Sequence, residues 1–305
     1  MSDEARRREM PPGGAFASFE RGGVRLRTAS WPGTRGTIVL VTGRNEFIEK
    51  YFETIADLTG RGFTVHMMDW RGQGLSDRLL PDRMKGHVGD FADYGTDLEA
   101  FVERAAGPGP LLLMGHSMGG HVILRALATS AALRRNVAGA VLSAAMMEID
   151  TGRVPSVWAG RLARFAVLLG RATIAVPAPK ESGAGFNLLT SDPERGADQA
   201  WFVAREPKLD LGAPTFGWLD AAFRSIALLQ TPGRLETVET PVLVAVAGAD
   251  KVVRPEAERR AAARLKHATL AEIDGSRHEI LKERDVIRAA FWSAFDLWCS
   301  GLTAG

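Results

Sequence analysis

The sequence predicts an α/β fold in which a doubly wound, mostly parallel β-sheet carries an inserted helical cap. Three observations support this prediction. Short, nearly continuous apolar runs alternate with longer segments of helical period, the pattern of a sheet covered by helices on both faces. That alternation stops between residues 151 and 236, where only helical periodicity continues. A tight, glycine-rich turn joins one of the apolar runs to the helix after it.

Six apolar runs, rich in β-branched residues, are the predicted strands. They cover residues 37–41, 63–68, 111–114, 137–142, 242–246 and 269–273. Helices are predicted between them, over 48–55 and 94–102, because apolar residues recur there at i, i+3, i+4 and i+7. Residues 287–298 carry the longest such stripe, so we expect a C-terminal helix as well.

The helical block between the fourth and fifth predicted strands is too long for an ordinary connection. Helical stretches over 157–169, 194–205 and 218–229 are separated by proline-containing loops. A crossover between parallel strands needs only about a dozen residues. We therefore predict a helical cap over residues 151–236. The α/β core is then one discontinuous domain made of residues 15–150 and 237–300.

The composition excludes several other classes of protein. The chain has 305 residues, 46% hydrophobic and 24% charged, as in ordinary globular proteins. Its 38 basic and 36 acidic residues leave a net charge of +2, so the balance does not favour nucleic-acid binding. The single cysteine, Cys299, rules out an intramolecular disulfide and a Cys-rich metal site. Since no dinucleotide-binding motif is present, we expect neither a cofactor nor a metal.

The N-terminal segment lacks the apolar core of a signal peptide, and no apolar run reaches the roughly 18 residues of a transmembrane helix. We therefore expect a cytoplasmic protein that makes at most transient contact with a membrane surface. Three arginines at positions 6–8, flanked by acids, are typical of a solvated tail.

The glycine-rich turn contains the candidate nucleophile. The segment Gly115-His116-Ser117-Met118-Gly119 follows a predicted strand and opens a predicted helix. Glycines flank the serine because side chains there would collide with neighbouring backbone in so tight a turn. The turn presents the Ser117 hydroxyl at the carboxyl edge of the sheet, so Ser117 is the predicted nucleophile.

A serine hydroxyl is a weak nucleophile and needs a base, which in turn needs an orienting acid. In this architecture the chain order is Ser, then Asp or Glu, then His. His278 follows the last predicted strand and precedes a helix, so it is the predicted base. Asp250 follows the strand 242–246 and is the predicted acid, with Asp150, after an earlier strand, as the alternative.

A tetrahedral oxyanion needs two convergent N–H donors. One is the backbone N–H of Met118, directly after the nucleophile. The other is expected from the loop after strand 37–41, and we assign it to the backbone N–H of Arg44.

Together these residues resemble the serine-hydrolase branch of the α/β-hydrolase superfamily, and residues 69–76 resemble its D-x-R-G-x-G-x-S loop. The segments 43–46, 50–51, 71–74 and 278–283 resemble, more narrowly, bacterial lysophospholipases and monoacylglycerol lipases. The resemblance implies a serine-dependent carboxylic-ester hydrolase that acts on a monoacyl lipid through an acyl-enzyme. Monoacylglycerol lipases often have His-Gly where this chain has Thr42-Gly43, which favours the lysophospholipase-like group.

Cap aromatics are the predicted substrate-binding residues, namely Trp158, Trp201, Phe216 and Trp218, although each could instead pack the core of the cap.

Two other functions stay open. A proline-iminopeptidase-type aminopeptidase shares this fold and triad, and needs cap acids for the substrate ammonium. The cap offers Glu181, Glu194, Asp198, Glu206 and Asp210, interleaved with basic residues as on a solvated face. A non-catalytic binding member of the fold is disfavoured because the triad is complete.

Overall fold

The computed structural model describes residues 3–105, 109–152, 154–177 and 186–302. Within them, eight strands form one sheet in the order β1-β2-β4-β3-β5-β6-β7-β8. The strands are β1 (Ala15–Arg21), β2 (Val24–Trp31), β3 (Gly36–Val41), β4 (Phe63–Met68), β5 (Leu111–His116), β6 (Gly139–Ser143), β7 (Val242–Ala247) and β8 (Ala268–Ile273). Strands β3 to β8 run parallel, and β1 and β2 are antiparallel to their neighbours. The predicted α/β fold with a mostly parallel sheet is confirmed.

Helices cover both faces of this sheet. They are α1 (Asp3–Arg8), α2 (Phe52–Gly60), α3 (Phe91–Ala105), α4 (Met118–Thr129), α5 (Ala131–Asn136), α6 (Ser156–Leu168), α7 (Phe186–Leu189), α8 (Pro193–Arg205), α9 (Phe216–Gln230), α10 (Pro255–Ala262) and α11 (Asp285–Leu302). Short 3-10 turns lie at Ile48–Tyr51, Pro207–Leu209, Leu235–Thr237 and Ile280–Lys282. In the described part of the chain, no helix combines the length and the apolarity needed to cross a membrane.

The apolar runs of the central strands are buried on both faces. Successive residues of β3 point to opposite sides, so Val39 and Val41 pack with α3 and α4. Ile38 and Leu40 pack on the other side with α2 and α11. Burial on both faces explains why these strands are continuously apolar instead of alternating.

The strands β1 and β2 were not among the six predicted. They form an antiparallel hairpin in which Arg21 pairs with Val24 across Gly22 and Gly23. A Gly-Gly pair between two runs of strand-forming residues is a recognised hairpin signal, and both glycines have positive φ, 58° and 73°. Because β1 is mostly exposed, its sequence lacks the apolar run that marked the other strands.

The expectation that residues 6–8 form a solvated tail is wrong. Arg7 lies in α1 and is only 4% exposed. Its guanidinium donates to Glu194 of α8 at 3.0 Å, and Arg8 donates to Asp198 of the same helix at 2.9 Å. These partners follow about 190 residues later in the chain, so local sequence gave no sign of them.

Helices α6, α8 and α9 lie between β6 and β7, where the cap was predicted. Asp192 caps α8 by accepting from the backbone N–H groups of residues 194 and 195. Thr215 caps α9 by accepting from the N–H of Trp218 at 3.1 Å. Trp218 itself packs on Phe91 of α3, with ring centroids 5.4 Å apart. The first turn of α9 is therefore fixed to the core, and from there the helix packs against α6.

Candidate active site

The nucleophile elbow has a strained backbone. Ser117, between β5 and α4, has φ 49° and ψ −115°, a backbone conformation that residues other than glycine rarely adopt. Its carbonyl accepts from the N–H groups of His121 and Met146, which hold the turn in place. At Gly119 a Cβ atom would lie 2.6 Å from the carbonyl oxygen of Thr42. Only glycine lets the start of α4 approach the end of β3 this closely.

The structure brings Ser117, His278 and Asp250 together. The Oγ atom of Ser117 lies 2.9 Å from Nε2 of His278, and Oδ2 of Asp250 lies 2.6 Å from Nδ1 of the same ring. A carboxylate only accepts hydrogen bonds, so Nδ1 carries the proton and Nε2 is left to accept from the serine hydroxyl. All three side chains are buried, and those of His278 and Asp250 are 5% and 0% exposed.

The loop after β7 fixes the second oxygen of Asp250. Its Oδ1 atom accepts from the N–H groups of Val252 and Val253 at 2.7 and 3.1 Å. Asp150 is exposed instead, and its Oδ1 accepts from the N–H of Gly152 at 2.9 Å. Its nearest charged partner is Arg254, at 3.7 Å. The structure therefore places Asp250, and not Asp150, against the histidine.

The proposed oxyanion donors face the same cavity as the serine. Arg44 lies in the loop after β3, Met118 begins α4, and both line the cavity beside Ser117. The Arg44 guanidinium turns towards the cap, where it donates to the carbonyl of Gly212 and lies 5.5 Å from the ring centre of Trp218.

The loop that resembles D-x-R-G-x-G-x-S supports this arrangement. The Gln73 side chain accepts from the N–H of Asn45 at 2.6 Å, and Asn45 has a positive φ of 60°. Asp69 accepts from the N–H of Ile48 at 3.0 Å and from Arg27 at 2.7 Å. These bonds fix both ends of the segment 45–48, directly after the residue that supplies the proposed oxyanion donor.

The cavity has a volume of about 370 Å³, within the range of small-molecule sites. Its apolar lining, which we call the apolar wall, includes Met146, Ile149, Leu188, Leu189, Pro214, Trp218, Leu219, Val252 and Val253. Its polar lining, which we call the polar wall, includes Asn45, Glu46, Lys50, Gln199 and Glu279, and hydrogen bonds join these five residues into one cluster. Ser117 and His278 lie on the wall of the same cavity. An ester bound at the serine therefore meets both apolar and polar side chains within one cavity.

Of the four cap aromatics predicted to bind substrate, the structure brings Trp218 to this cavity. Trp158 is 56% exposed on α6. Trp201 lies between two guanidinium groups, Arg8 at 5.0 Å and Arg205 at 3.5 Å from its ring centre. Phe216, at the start of α9, is half-buried and does not line the cavity either. The apolar wall is mostly aliphatic instead, which sequence reasoning did not predict.

The polar wall contains a buried ionic cluster that sequence reasoning found only as part of a resemblance. Lys50 is 2% exposed and its Nζ atom lies 2.9 Å from Glu46 and 2.5 Å from Glu279. Burial alone would raise the pKa of Glu46, but Lys50, with His116 and Tyr51, lowers that pKa to about 2. The carboxylates of Glu279 and Glu46 outweigh the effect of burial on Lys50 and raise its pKa above the ordinary value.

The acids predicted for an aminopeptidase lie elsewhere. Asp198 accepts from Arg8 and forms an ion pair with Lys282 at 3.3 Å, and Glu194 accepts from Arg7. Neither these two residues nor Glu206 and Asp210 line the cavity, and Glu181 is outside the described residues.

Comparison with known proteins identifies the family. Residues 32–285 match the family described as serine aminopeptidase, S33 (Hydrolase_4). The chain belongs to this S33 family. The matched range contains the elbow, both aspartates considered for the triad, and the histidine. The resemblance to α/β-hydrolases that the motifs indicated is confirmed.

Chains similar to this one carry lysophospholipase and monoacylglycerol lipase names. The lysophospholipase L2 of Escherichia coli K12 is 32% identical over 269 residues, covering 83% of this chain and 76% of the relative. The monoacylglycerol lipase of Mycolicibacterium smegmatis is 26% identical over 272 residues, covering 86% and 89%. Among solved structures, the monoacylglycerol lipase of Paleococcus ferrophilus has a TM-score of 0.69 at 27% identity, covering 88% and 98%. A soluble variant of Saccharomyces cerevisiae monoglyceride lipase has a TM-score of 0.77 over 95% and 96%, and at 20% identity it supports the fold alone.

Proposed function

We propose that this S33 protein is a serine-dependent carboxylic-ester hydrolase that acts on monoacyl lipids, a lysophospholipid or a monoacylglycerol. The observation that carries the proposal is the cavity around Ser117, whose lining combines apolar side chains with one hydrogen-bonded polar cluster. A monoacyl lipid combines the same two kinds of group, because its ester joins an acyl chain to a polar alcohol. The names of the relatives support this substrate class.

The geometry supports attack by Ser117 on the ester carbonyl. His278 Nε2 takes the hydroxyl proton as Oγ bonds to the carbonyl carbon, and Asp250 stabilises the imidazolium that forms. The backbone N–H groups of Met118 and Arg44 stabilise the oxyanion, each donor typically contributing about 10²–10³ in rate. The tetrahedral intermediate expels the alcohol, which takes the proton from His278, and leaves an acyl group on Ser117.

Deacylation repeats these steps with water as the nucleophile. His278 takes a proton from water as the hydroxide oxygen bonds to the acyl carbon, and then returns a proton to Ser117 as the fatty acid leaves. The complete cycle consumes one water and one ester and yields one alcohol and one acid. No other reactant is needed.

The aminopeptidase alternative is less well supported, although the family is named after that activity. It needs a carboxylate to bind the substrate ammonium. Two carboxylates do line the cavity, those of Glu46 and Glu279, but the ammonium of Lys50 already lies between them. A second ammonium there would face the charge of Lys50.

A series of p-nitrophenyl esters tests the proposal against this alternative. Each methylene that enters the apolar part of the cavity gains roughly 0.8 kcal/mol, so kcat/KM should rise by up to about fourfold per carbon until the cavity is full. A prolyl anilide should be cleaved negligibly. A steady decline beyond the acetyl ester would contradict the lipid substrate, and efficient anilide cleavage would favour the aminopeptidase.

We further propose that α6 contacts the surface of an anionic lipid bilayer. Trp158, Leu162, Phe165 and Leu169 recur along one side of this helix, and each is more than half exposed. Residues 154–177 contain three arginines and no Asp or Glu. Arg164 pairs with Asp220 of α9 at 3.4 Å, so the net charge around these side chains stays positive and complements anionic lipid headgroups. The substrate class also favours this contact, because monoacyl lipids collect in membranes.

Sedimentation with vesicles tests this contact. We expect binding to phosphatidylglycerol-containing vesicles that weakens with salt and is lost when Trp158 and Phe165 are both replaced by Ser. Leu297→Ser is the control, because Leu297 is also an exposed apolar residue, 75% exposed, but lies on α11. Equal loss in the control, or equal binding to neutral vesicles, would contradict the proposal. A cytoplasmic location stays a prediction, which cell fractionation tests.

A further inference from the structure

Lys50 contacts three separate elements through one buried nitrogen. Its Nζ atom donates to Glu46 at 2.9 Å, to Glu279 at 2.5 Å and to Gln199 of α8 at 3.1 Å. An ammonium has three N–H donors, and each has one acceptor here. The side chains of Lys50, Glu46 and Glu279 are 3%, 5% and 7% exposed, so water does little to screen the charges.

The two carboxylate acceptors, Glu46 and Glu279, are also part of loops that carry a proposed reacting group. We call residues 42–47 the oxyanion loop and residues 274–279 the histidine loop. The second oxygen of Glu46 accepts from the N–H of Gly43 at 2.5 Å and from the hydroxyl of Tyr51 at 2.7 Å. This bond holds the oxyanion loop directly before Arg44. Glu279 directly follows His278, so a displacement of its carboxylate displaces the base.

The cap helix α8 reaches the same nitrogen. While the oxygen of the Gln199 amide accepts from Lys50, its NH₂ group donates to the carbonyl of Asn45 at 3.1 Å. The oxyanion loop is therefore held at Gly43 by the carboxylate of Glu46 and at Asn45 by the amide of Gln199 from the cap. Without the ammonium, the carboxylates of Glu46 and Glu279 would face each other in a buried site and repel.

On the basis of the function proposed above, we propose that Lys50 is a positioning residue that fixes the spacing between the oxyanion loop and the histidine loop. The oxyanion donors and the base act on the same tetrahedral intermediate, so their spacing affects the transition state more than the bound ester. Loss of Lys50 should therefore lower kcat and leave KM nearly unchanged.

The variant Lys50→Met tests this role with p-nitrophenyl butyrate. We expect kcat to fall by about 10- to 100-fold, the scale of a displacement of about 1 Å. KM should stay within about threefold, because the ester is still bound by the apolar wall. The matched control is Lys282→Met: Lys282 is also buried, and its Nζ atom pairs with Asp198 of α8, which belongs to neither loop. Its backbone N–H, which the substitution keeps, donates to the carbonyl of Glu279 at 2.8 Å. We expect the control to lose stability and to keep its kcat.

A double variant separates positioning from general loss of structure. Glu279→Gln in the Lys50→Met background removes the repulsion, so kcat should recover by about fivefold or more. The inhibition constant of a trifluoromethyl ketone, which forms an oxyanion on the serine, should change in parallel with kcat.

An unchanged kcat in folded Lys50→Met, or no recovery in the double variant, would overturn the proposal. If Lys50→Met does not fold, the single variant Glu279→Gln serves as the test. An unchanged kcat in that variant would overturn the proposal. Failure of the unmodified protein to hydrolyse any ester would instead contradict the proposed function.

Discussion

Asp250 lies 28 residues before His278 in the chain, yet its Oδ2 atom is 2.6 Å from Nδ1 of the imidazole. The other oxygen of Asp250 accepts from two backbone N–H groups, so the carboxylate cannot rotate away from the ring without losing them. The imidazole is thereby held with Nε2 directed at Ser117. From this geometry we propose that Asp250 selects one tautomer of His278.

Replacing Asp250 by Asn should lower kcat by about 10⁴, because an amide can hold the ring in the wrong tautomer. Asp150→Asn is the control, since Asp150 lies at the surface and contacts its own turn. We expect the control to keep kcat, as measured with a soluble ester. The reverse pattern would assign the acid to the end of the earlier strand β6.

Replacing Ser117 by Ala should abolish covalent labelling by a fluorophosphonate and reduce ester turnover to the low level that the oxyanion donors alone support. Its melting temperature should not fall, since the hydroxyl is lost from a strained turn and not from the apolar core. Labelling is read by intact-protein mass. An adduct on the alanine variant would show that another residue is the nucleophile.

Buried His121 should make the fold sensitive to mild acid. Burial lowers the pKa of its imidazole to about 3, and Nε2 bonds to the hydroxyl of Ser225 at 2.7 Å. The unfolded chain takes up this proton below about pH 6.5, while the folded protein does not. Stability from this site is complete above that pH and falls by about 1.4 kcal/mol per pH unit as pH drops towards 3.

The variant His121→Gln isolates this effect, because glutamine can bond to Ser225 without titrating. Urea unfolding at pH 7.0, 5.5 and 4.5 measures it. We expect the free energy of unfolding of the unmodified protein to fall, relative to that of the variant, as pH falls. A difference that does not change with pH would show that His121 is not held neutral.

Narrowing the apolar wall should shorten the acyl chain that the enzyme prefers. Leu219 is half-buried and lines the cavity beside Trp218. Leu219→Trp should lower kcat/KM for a twelve-carbon ester by about tenfold or more and spare the acetyl ester, because a lost methylene contact matters only to the longer chain. Leu297→Trp, at an exposed site on α11, is the control. An equal effect on both esters would place the acyl chain elsewhere.

The meeting of the three proposed triad residues was predictable from the sequence because parallel strands end at one edge of the sheet. Ser117, Asp250 and His278 each follow a strand, so their loops meet there although 161 residues separate the serine from the histidine. The central strands were visible because burial on both faces makes them continuously apolar, whereas β8, which precedes His278, is partly exposed. The hairpin of β1 and β2 has exposed positions, and its one clear signal was the Gly22-Gly23 turn.

The surroundings of the triad were less predictable, because their partners are far apart in the chain. Lys50 meets Glu279 and Gln199 across 229 and 149 residues, and no local pattern marks a lysine as buried. The cap aromatics show the same difficulty. Periodicity identified α6 and α9 as helices, but which face meets the cavity depends on how they pack, so Trp218 lines it and Trp158 lies at the surface.

The most direct test of the account is the release of free fatty acid from a 1-acyl lysophospholipid and from a monoacylglycerol, followed for the unmodified protein and for Ser117→Ala. We predict that the unmodified protein releases fatty acid from at least one of the two lipids with saturation kinetics, and that the variant releases almost none. Release of fatty acid from neither lipid, or equal release by the variant, would contradict the conclusion that this S33 protein hydrolyses monoacyl lipids through Ser117.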